Sequence, residues 1–185
     1  ELINVDSAQV YRYLNIGSAK PDAETLAQAS HRLLDIRDPC EIYSAAEFLA
    51  DARREMAEIT ASGRIPLLVG GSMMYFKVLL EGLSQLPEAD QSIRDDLEQR
   101  AAKEGWPSLY AELQLVDPQT ASRLHPNHSQ RIQRALEVYQ VTGEPMSALQ
   151  AESVGGLAQQ YDFRQIALIP QNRSLLHQRI EQRFE

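Results

Sequence analysis

A helix, a strand and a second helix in immediate succession constrain this chain most. Ser44-Ala45-Ala46-Glu47 has the spacing of a capping box, and Phe48, Leu49, Ala52, Met56 and Ile59 recur at helical intervals until Gly63. Arg64 to Val69 then reads as a buried strand, Gly70-Gly71-Ser72 as a turn, and the residues after it as a new helix. This succession predicts an α/β fold whose parallel sheet is connected by crossover helices, because parallel neighbours cannot be joined by a tight hairpin.

Two strand ends carry the chemistry. Leu2-Ile3-Asn4-Val5 is a short apolar run that breaks off into Asp6-Ser7-Ala8-Gln9. In an open α/β sheet, ligands bind beyond the carboxyl ends of strands, which would put Asp6 at the mouth of a cleft; equally, Asp6-Ser7 can cap the segment that follows. At the second strand end, Gly70 and Gly71 let the backbone approach a ligand. Free amides at the next helix start favour an anion there, and Ser72 serves either as a phosphate contact or as a plain N-cap. Lys20, in the loop Gly17-Ser18-Ala19-Lys20-Pro21, can reach a phosphate or lie solvated at the surface.

The remaining stretches read as a helix over residues 22–30, a strand over 32–36, helices from Ser92 to Gly105, from Trp106-Pro107 through Leu113 and from Asp117-Pro118 to Leu124, and a helix from Ser129 to Val141. The apolar stripe of that last helix is Ile132, Ala135, Leu136 and Tyr139. Arg131 and Arg134, three apart, share its other side, where with Gln130 and Gln133 they suit phosphates and base edges or form an ordinary solvated face. Phe163 to Pro170 reads as a strand returning to the sheet, followed by a helix over 175–184. The predicted organisation is therefore an α/β core over 1–87, an all-helical insertion over 88–158 and a return to the core over 159–185.

A net charge of −8 excludes a surface that binds nucleic acid everywhere, so any such contact must come from the local basic stretch. The single Cys40 excludes an internal disulfide and a multi-thiolate zinc site. No apolar run approaches the roughly 18–20 residues that span a bilayer, and no signal-peptide pattern opens the chain, so a soluble cytoplasmic protein with no membrane partner is expected.

Several stretches, in order, resemble one family. They are Val5-Asp6-Ser7-Ala8-Gln9-Val10-Tyr11, Ile16 to Pro21, Leu34-Asp35-Ile36, Tyr43 to Phe48, Leu68 to Tyr75, and Gln130-Arg131-Ile132-Gln133-Arg134-Ala135-Leu136-Glu137. Together they resemble the bacterial tRNA dimethylallyltransferases. The resemblance implies a P-loop-kinase-like fold with a helical insertion, and transfer of a dimethylallyl group from dimethylallyl diphosphate to N6 of adenosine 37 of tRNA. It also implies Mg2+ as cofactor, release of diphosphate, the tRNA anticodon arm as partner, and a monomer.

Carried over position by position, Asp6 is the general base that accepts from the adenine amine, and Ser7, Ala8 and Gln9 belong to the base-holding segment. Ser72, where the family commonly has threonine, contacts the diphosphate with Gly70, Gly71 and Lys20. Arg94 and the segment Gln130, Arg131, Ile132, Gln133 and Arg134 contact tRNA. No metal ligand is assigned. The family's glycine-rich phosphate loop is not found in these 185 residues, and Asn15 stands where an aspartate is usual; the chain is accordingly expected to be the central portion of a longer enzyme and inactive alone. Rival readings are an adenylate isopentenyltransferase, a P-loop small-molecule kinase and a non-catalytic RNA-binding fragment.

Overall fold

The computed structural model describes residues 1–151 and 153–184. In chain order the elements are β1 (Leu2–Val5), α1 (Ala23–Gln28), β2 (His31–Arg32), α2 (Ala45–Ala61), β3 (Leu67–Gly70), α3 (Met73–Glu81), β4 (Gly82–Ser84), α4 (Gln91–Glu104), α5 (Trp106–Val116), α6 (Pro118–Ala121), α7 (Ser129–Thr142), α8 (Met146–Leu149), β5 (Ser153–Gly155) and α9 (Arg173–Gln182). They form two compact units: Glu1–Gly82 with Gly155–Glu185, and Leu83–Val154.

The first unit is α/β. β1 lies between β2 and β3 and is parallel to both, with Leu2 opposite His31 and Leu67. Parallel pairing follows from the connections: α1 joins β1 to β2, and α2 joins β2 to β3. Ser44 caps α2 as its spacing predicts, accepting from the Glu47 amide while the Glu47 carboxylate accepts from the Ser44 amide. The α2 side chains Phe48, Leu49, Ala52, Met56 and Ile59 are buried, as are Ile3 and Val5 of β1. Phe48 stacks on Tyr75 of α3 with ring centroids 4.3 Å apart, and Tyr43 meets the same ring edge-on. Burial, with the Asp51 carboxylate beside it accepting its proton, holds the Tyr43 phenol above its ordinary range. At the amino end of β1, Arg32 of β2 bridges Glu1, Glu55 and Glu58, joining β2 and the start of β1 to α2.

Two expectations fail in this unit. The strand anticipated over 32–36 stops at Arg32, because Leu33 and Asp35 adopt positive φ of 60° and 55°, a conformation no ladder accommodates. Residues 163–170 form no strand: no ladder is made there, and Ile166, Leu168 and Ile169 are exposed. Apolar, β-prone composition makes a strand only where its backbone groups find a partner.

The second unit is helical. Leu97 of α4, Leu109 and Leu113 of α5, Ala121 of α6, and Ile132, Ala135 and Leu136 of α7 make one buried core. Asp90 caps α4 through the Ser92 and Ile93 amides. Asp117 caps α6 and also accepts from the amide and hydroxyl of Ser147, which ties α8 to the same point. α7 closes on Gly143 in the left-handed conformation. Its buried face is wider than the predicted stripe, taking in Glu137 and Val138. Among the described residues no helix is long and apolar enough to cross a membrane.

Candidate active site

β1 is buried to Val5, and the chain leaves the sheet at Asp6. Asp6 Oδ1 accepts from the amides of Ala8 at 2.8 Å and Gln9 at 3.2 Å, an Asx turn that reverses the backbone. The capping role weighed from sequence is therefore real, but it occupies one oxygen. Oδ2 has no hydrogen-bond partner among the described residues.

The Gln9 amide group donates to the carbonyls of Ser18 and Ala19, and the Ser18 hydroxyl donates to Leu14 O. These bonds stitch the Asp6 loop to the loop that ends at Pro21. Tyr13 and Ala19, like Leu33 and Asp35, have positive φ without being glycine, so backbone strain gathers around this loop system. Lys20 does not extend toward solvent. Its side chain is 4% exposed and its ammonium donates to Asp35 and to Tyr11 O, both at 2.6 Å.

β3 delivers the second strand end. A Cβ at Gly70 would overlap the Val5 carbonyl, so only glycine permits this approach of β3 to the end of β1. Ser72 stands at the N-cap of α3 yet makes no side-chain cap. Instead its hydroxyl accepts from the Ser7 amide at 2.9 Å and donates to Ser7 Oγ at 3.2 Å. The Asp6-Ser7 loop and the Gly70-Gly71-Ser72 turn are thus brought side by side.

Next to them lies a cavity of about 230 Å³, walled by Asn4, Asp6, Gln9, His31, Val69 and Gly70 among others. Neither Asn4 nor His31 is among the site residues expected from the sequence. The signal for Asn4 was present as a lone amide inside an apolar run; it is buried, donating to Leu33 O. His31 Nδ1 lies 2.8 Å from Ala29 O. A carbonyl only accepts, so Nδ1 carries a hydrogen and Nε2 is the nitrogen left for another partner.

The helical unit carries the remaining candidates. Arg131 is exposed and lines an open hollow of about 290 Å³ with Asn127, His128, Ser129 and Gln130 at the start of α7. Gln133 donates to Arg94 O and to Glu98. Arg94 and Arg134 both bind the buried Glu137. Ile132 is fully buried in the helical core and has no surface to offer a ligand, because it lies on the stripe that packs against α4 and α5. Among the described residues no cluster of three His, Cys, Asp or Glu could hold a metal.

The chain has counterparts among known proteins. A family model described as IPP transferase matches residues 9–185, and the chain belongs to that family. It is 59% identical over its whole length to a tRNA dimethylallyltransferase from Thiobacillus denitrificans, of which it spans 58%. It is similar, at 29% identity over 83% of its length, to 38% of a eukaryotic dimethylallyltransferase acting on tRNA, with a TM-score of 0.64. A tRNA delta(2)-isopentenylpyrophosphate transferase from Staphylococcus epidermidis is 28% identical over 99% of the chain and 59% of that protein, with a TM-score of 0.50.

Proposed function

We propose that this chain supplies the base-holding and RNA-contacting portion of a tRNA dimethylallyltransferase with a P-loop-kinase-like core. The reaction moves the dimethylallyl group of dimethylallyl diphosphate to N6 of adenosine 37 in the anticodon arm. The observation that carries this reading is the carboxylate of Asp6, half engaged in its own turn and half free, at a cavity beside the Gly70-Gly71-Ser72 turn. In that role Asp6 Oδ2 accepts the N6 proton as the new C–N bond forms and the C–O bond to diphosphate breaks, a general-base task. Asn4, Gln9 and His31 offer the polar edges a purine needs, and adenosine 37 must leave its stack to reach them.

The Ser72 hydroxyl and the amides of its turn suit the departing diphosphate, whose developing charge is the larger demand. Mg2+ binds through one or two protein oxygens and substrate phosphates. The oxygen donors at this loop, the Ser7 and Ser72 hydroxyls, fit that preference, and the ion when bound would offset diphosphate charge. Lys20, tied to Asp35, is read as bracing the loop unless substrate draws it out. In the helical unit, Arg131 and Gln130 are the exposed groups that suit RNA phosphates and bases.

The test is transfer of labelled dimethylallyl to an anticodon stem-loop by the full-length enzyme, alongside AMP as acceptor. Transfer to the stem-loop that Asp6→Asn abolishes supports the proposal. Preference for AMP points to a nucleotide prenyltransferase, and RNA binding indifferent to Asp6 points to a non-catalytic role.

A further inference from the structure

Arg94 and Arg134 are ordinarily the kind of residues read as direct RNA contacts, but each spends part of its guanidinium inside the protein. Arg94 forks onto Glu137, with Nε to Oε1 at 2.9 Å and Nη2 to Oε2 at 3.2 Å. Arg134 donates Nη1 to Oε2 at 2.7 Å and Nη2 to Pro87 O at 2.6 Å. The Asp90 amide completes the set, 2.7 Å from Oε1. The Glu137 side chain is 0% exposed, whereas those of Arg94 and Arg134 are 35% and 29% exposed. A carboxylate is thus buried beneath two guanidinium groups whose outer edges reach solvent.

Three features separate this cluster from an ordinary surface ion pair. Two positive charges face one negative charge, so the three groups together carry a net positive charge. Arg94 Nη1 and Arg134 Nε have no partner among the described residues, and they retain N–H groups for an external acceptor. Each arginine is also held at fixed geometry by more than one bond, which removes the rotamer freedom an arginine otherwise loses on binding. Simple Coulomb reasoning would treat a carboxylate at a phosphate-binding surface as a defect. A carboxylate buried behind two arginines instead preorganises them.

We infer that Glu137 is a positioning residue for RNA, holding Arg94 and Arg134 as a paired phosphate clamp on the helical unit. The inference rests on the tRNA reading above and adds to it a residue that never touches the RNA. It also makes a prediction whose sign is opposite to that of charge counting. Glu137→Gln removes a negative charge, which should tighten RNA binding if only net charge matters. It should weaken binding if the carboxylate orients the two forks.

The experiment measures affinity of the full-length enzyme for an anticodon stem-loop across a salt series, with steady-state kinetics and thermal unfolding in parallel. For Glu137→Gln the expected result is about tenfold or greater loss of affinity and a salt slope reduced by about one. KM for RNA should rise by a similar factor while kcat stays within about twofold. Arg94→Lys, which keeps the charge but cannot fork, should give a similar loss and carries the test should Glu137→Gln not fold. Unchanged or tighter binding by a folded Glu137→Gln or Arg94→Lys protein, when the parent binds and modifies the RNA, overturns the inference alone. A parent enzyme that neither binds nor modifies the stem-loop overturns the tRNA reading and the inference with it.

Discussion

At the scale of single residues, Asp6 and Ser72 each have a structural partner and a remaining capacity, which determines the substitutions that separate the two. Asn at position 6 keeps an oxygen for the Ala8 and Gln9 amides but cannot take a proton, so Asp6→Asn should fold normally and, under the proposed general-base role, lose about 10²- to 10⁴-fold in kcat. Single-turnover transfer with a thermal-unfolding control measures both. Ser72→Ala removes the acceptor for the Ser7 amide, and should cost about 1 kcal/mol of stability in addition to any loss of activity. Ser72→Thr retains the hydroxyl and should retain most of the activity, which a side-by-side kinetic comparison checks. The position of Asp6 just past the end of a buried strand was legible from the apolar run before it. That Ser72 would turn its hydroxyl to Ser7 was not, because the partner lies 65 positions away and only the parallel pairing of β1 and β3 brings it close.

At the scale of elements, local signals foretold the helices well and the strands unevenly. Capping residues and apolar periodicity act within a turn or two of chain, so α2, with its Ser44–Glu47 box, was readable directly. Ser44→Ala should lower stability by about 1 kcal/mol, measured by denaturant midpoint. Strands depend on distant partners, and neither the halt of β2 at positive-φ Leu33 nor the unpaired run 163–170 is encoded locally. Glu137 was missed for a related reason: a glutamate one step from an apolar stripe looks solvated until arginines from two helices converge on it.

Burial would raise the Glu137 carboxyl, but its bonds to Arg94, Arg134 and the Asp90 amide outweigh that and hold it below its ordinary range. Asp117 behaves likewise through Thr120 and Ser147. A carboxyl depressed in the folded state stabilises fully above its unfolded value and loses that contribution as pH falls through its folded value. The helical unit should therefore weaken on acidification below about pH 4, and Glu137→Gln should flatten that fall in a Tm-against-pH series.

At the scale of the whole chain, these 185 residues carry a net charge of −8, so under the proposed tRNA role they must confine attraction to a small area. Salt dependence of binding should accordingly be modest, reflecting a few phosphate contacts rather than a broad basic face. The chain passes out of the α/β unit after Gly82 and back at Gly155, within the paired strands β4 and β5, where the Ser84 and Ser153 hydroxyls lie 3.5 Å apart. Departure and return thus occur at one doorstep, and the entropy of spanning that doorstep grows only logarithmically with the length of the excursion. We expect the α/β unit to fold without the excursion: a graft replacing residues 85–152 with a short Gly-Ser bridge should leave its far-ultraviolet dichroism and cooperative melting in place. Evolution is thereby free to remodel the helical excursion separately from the α/β unit.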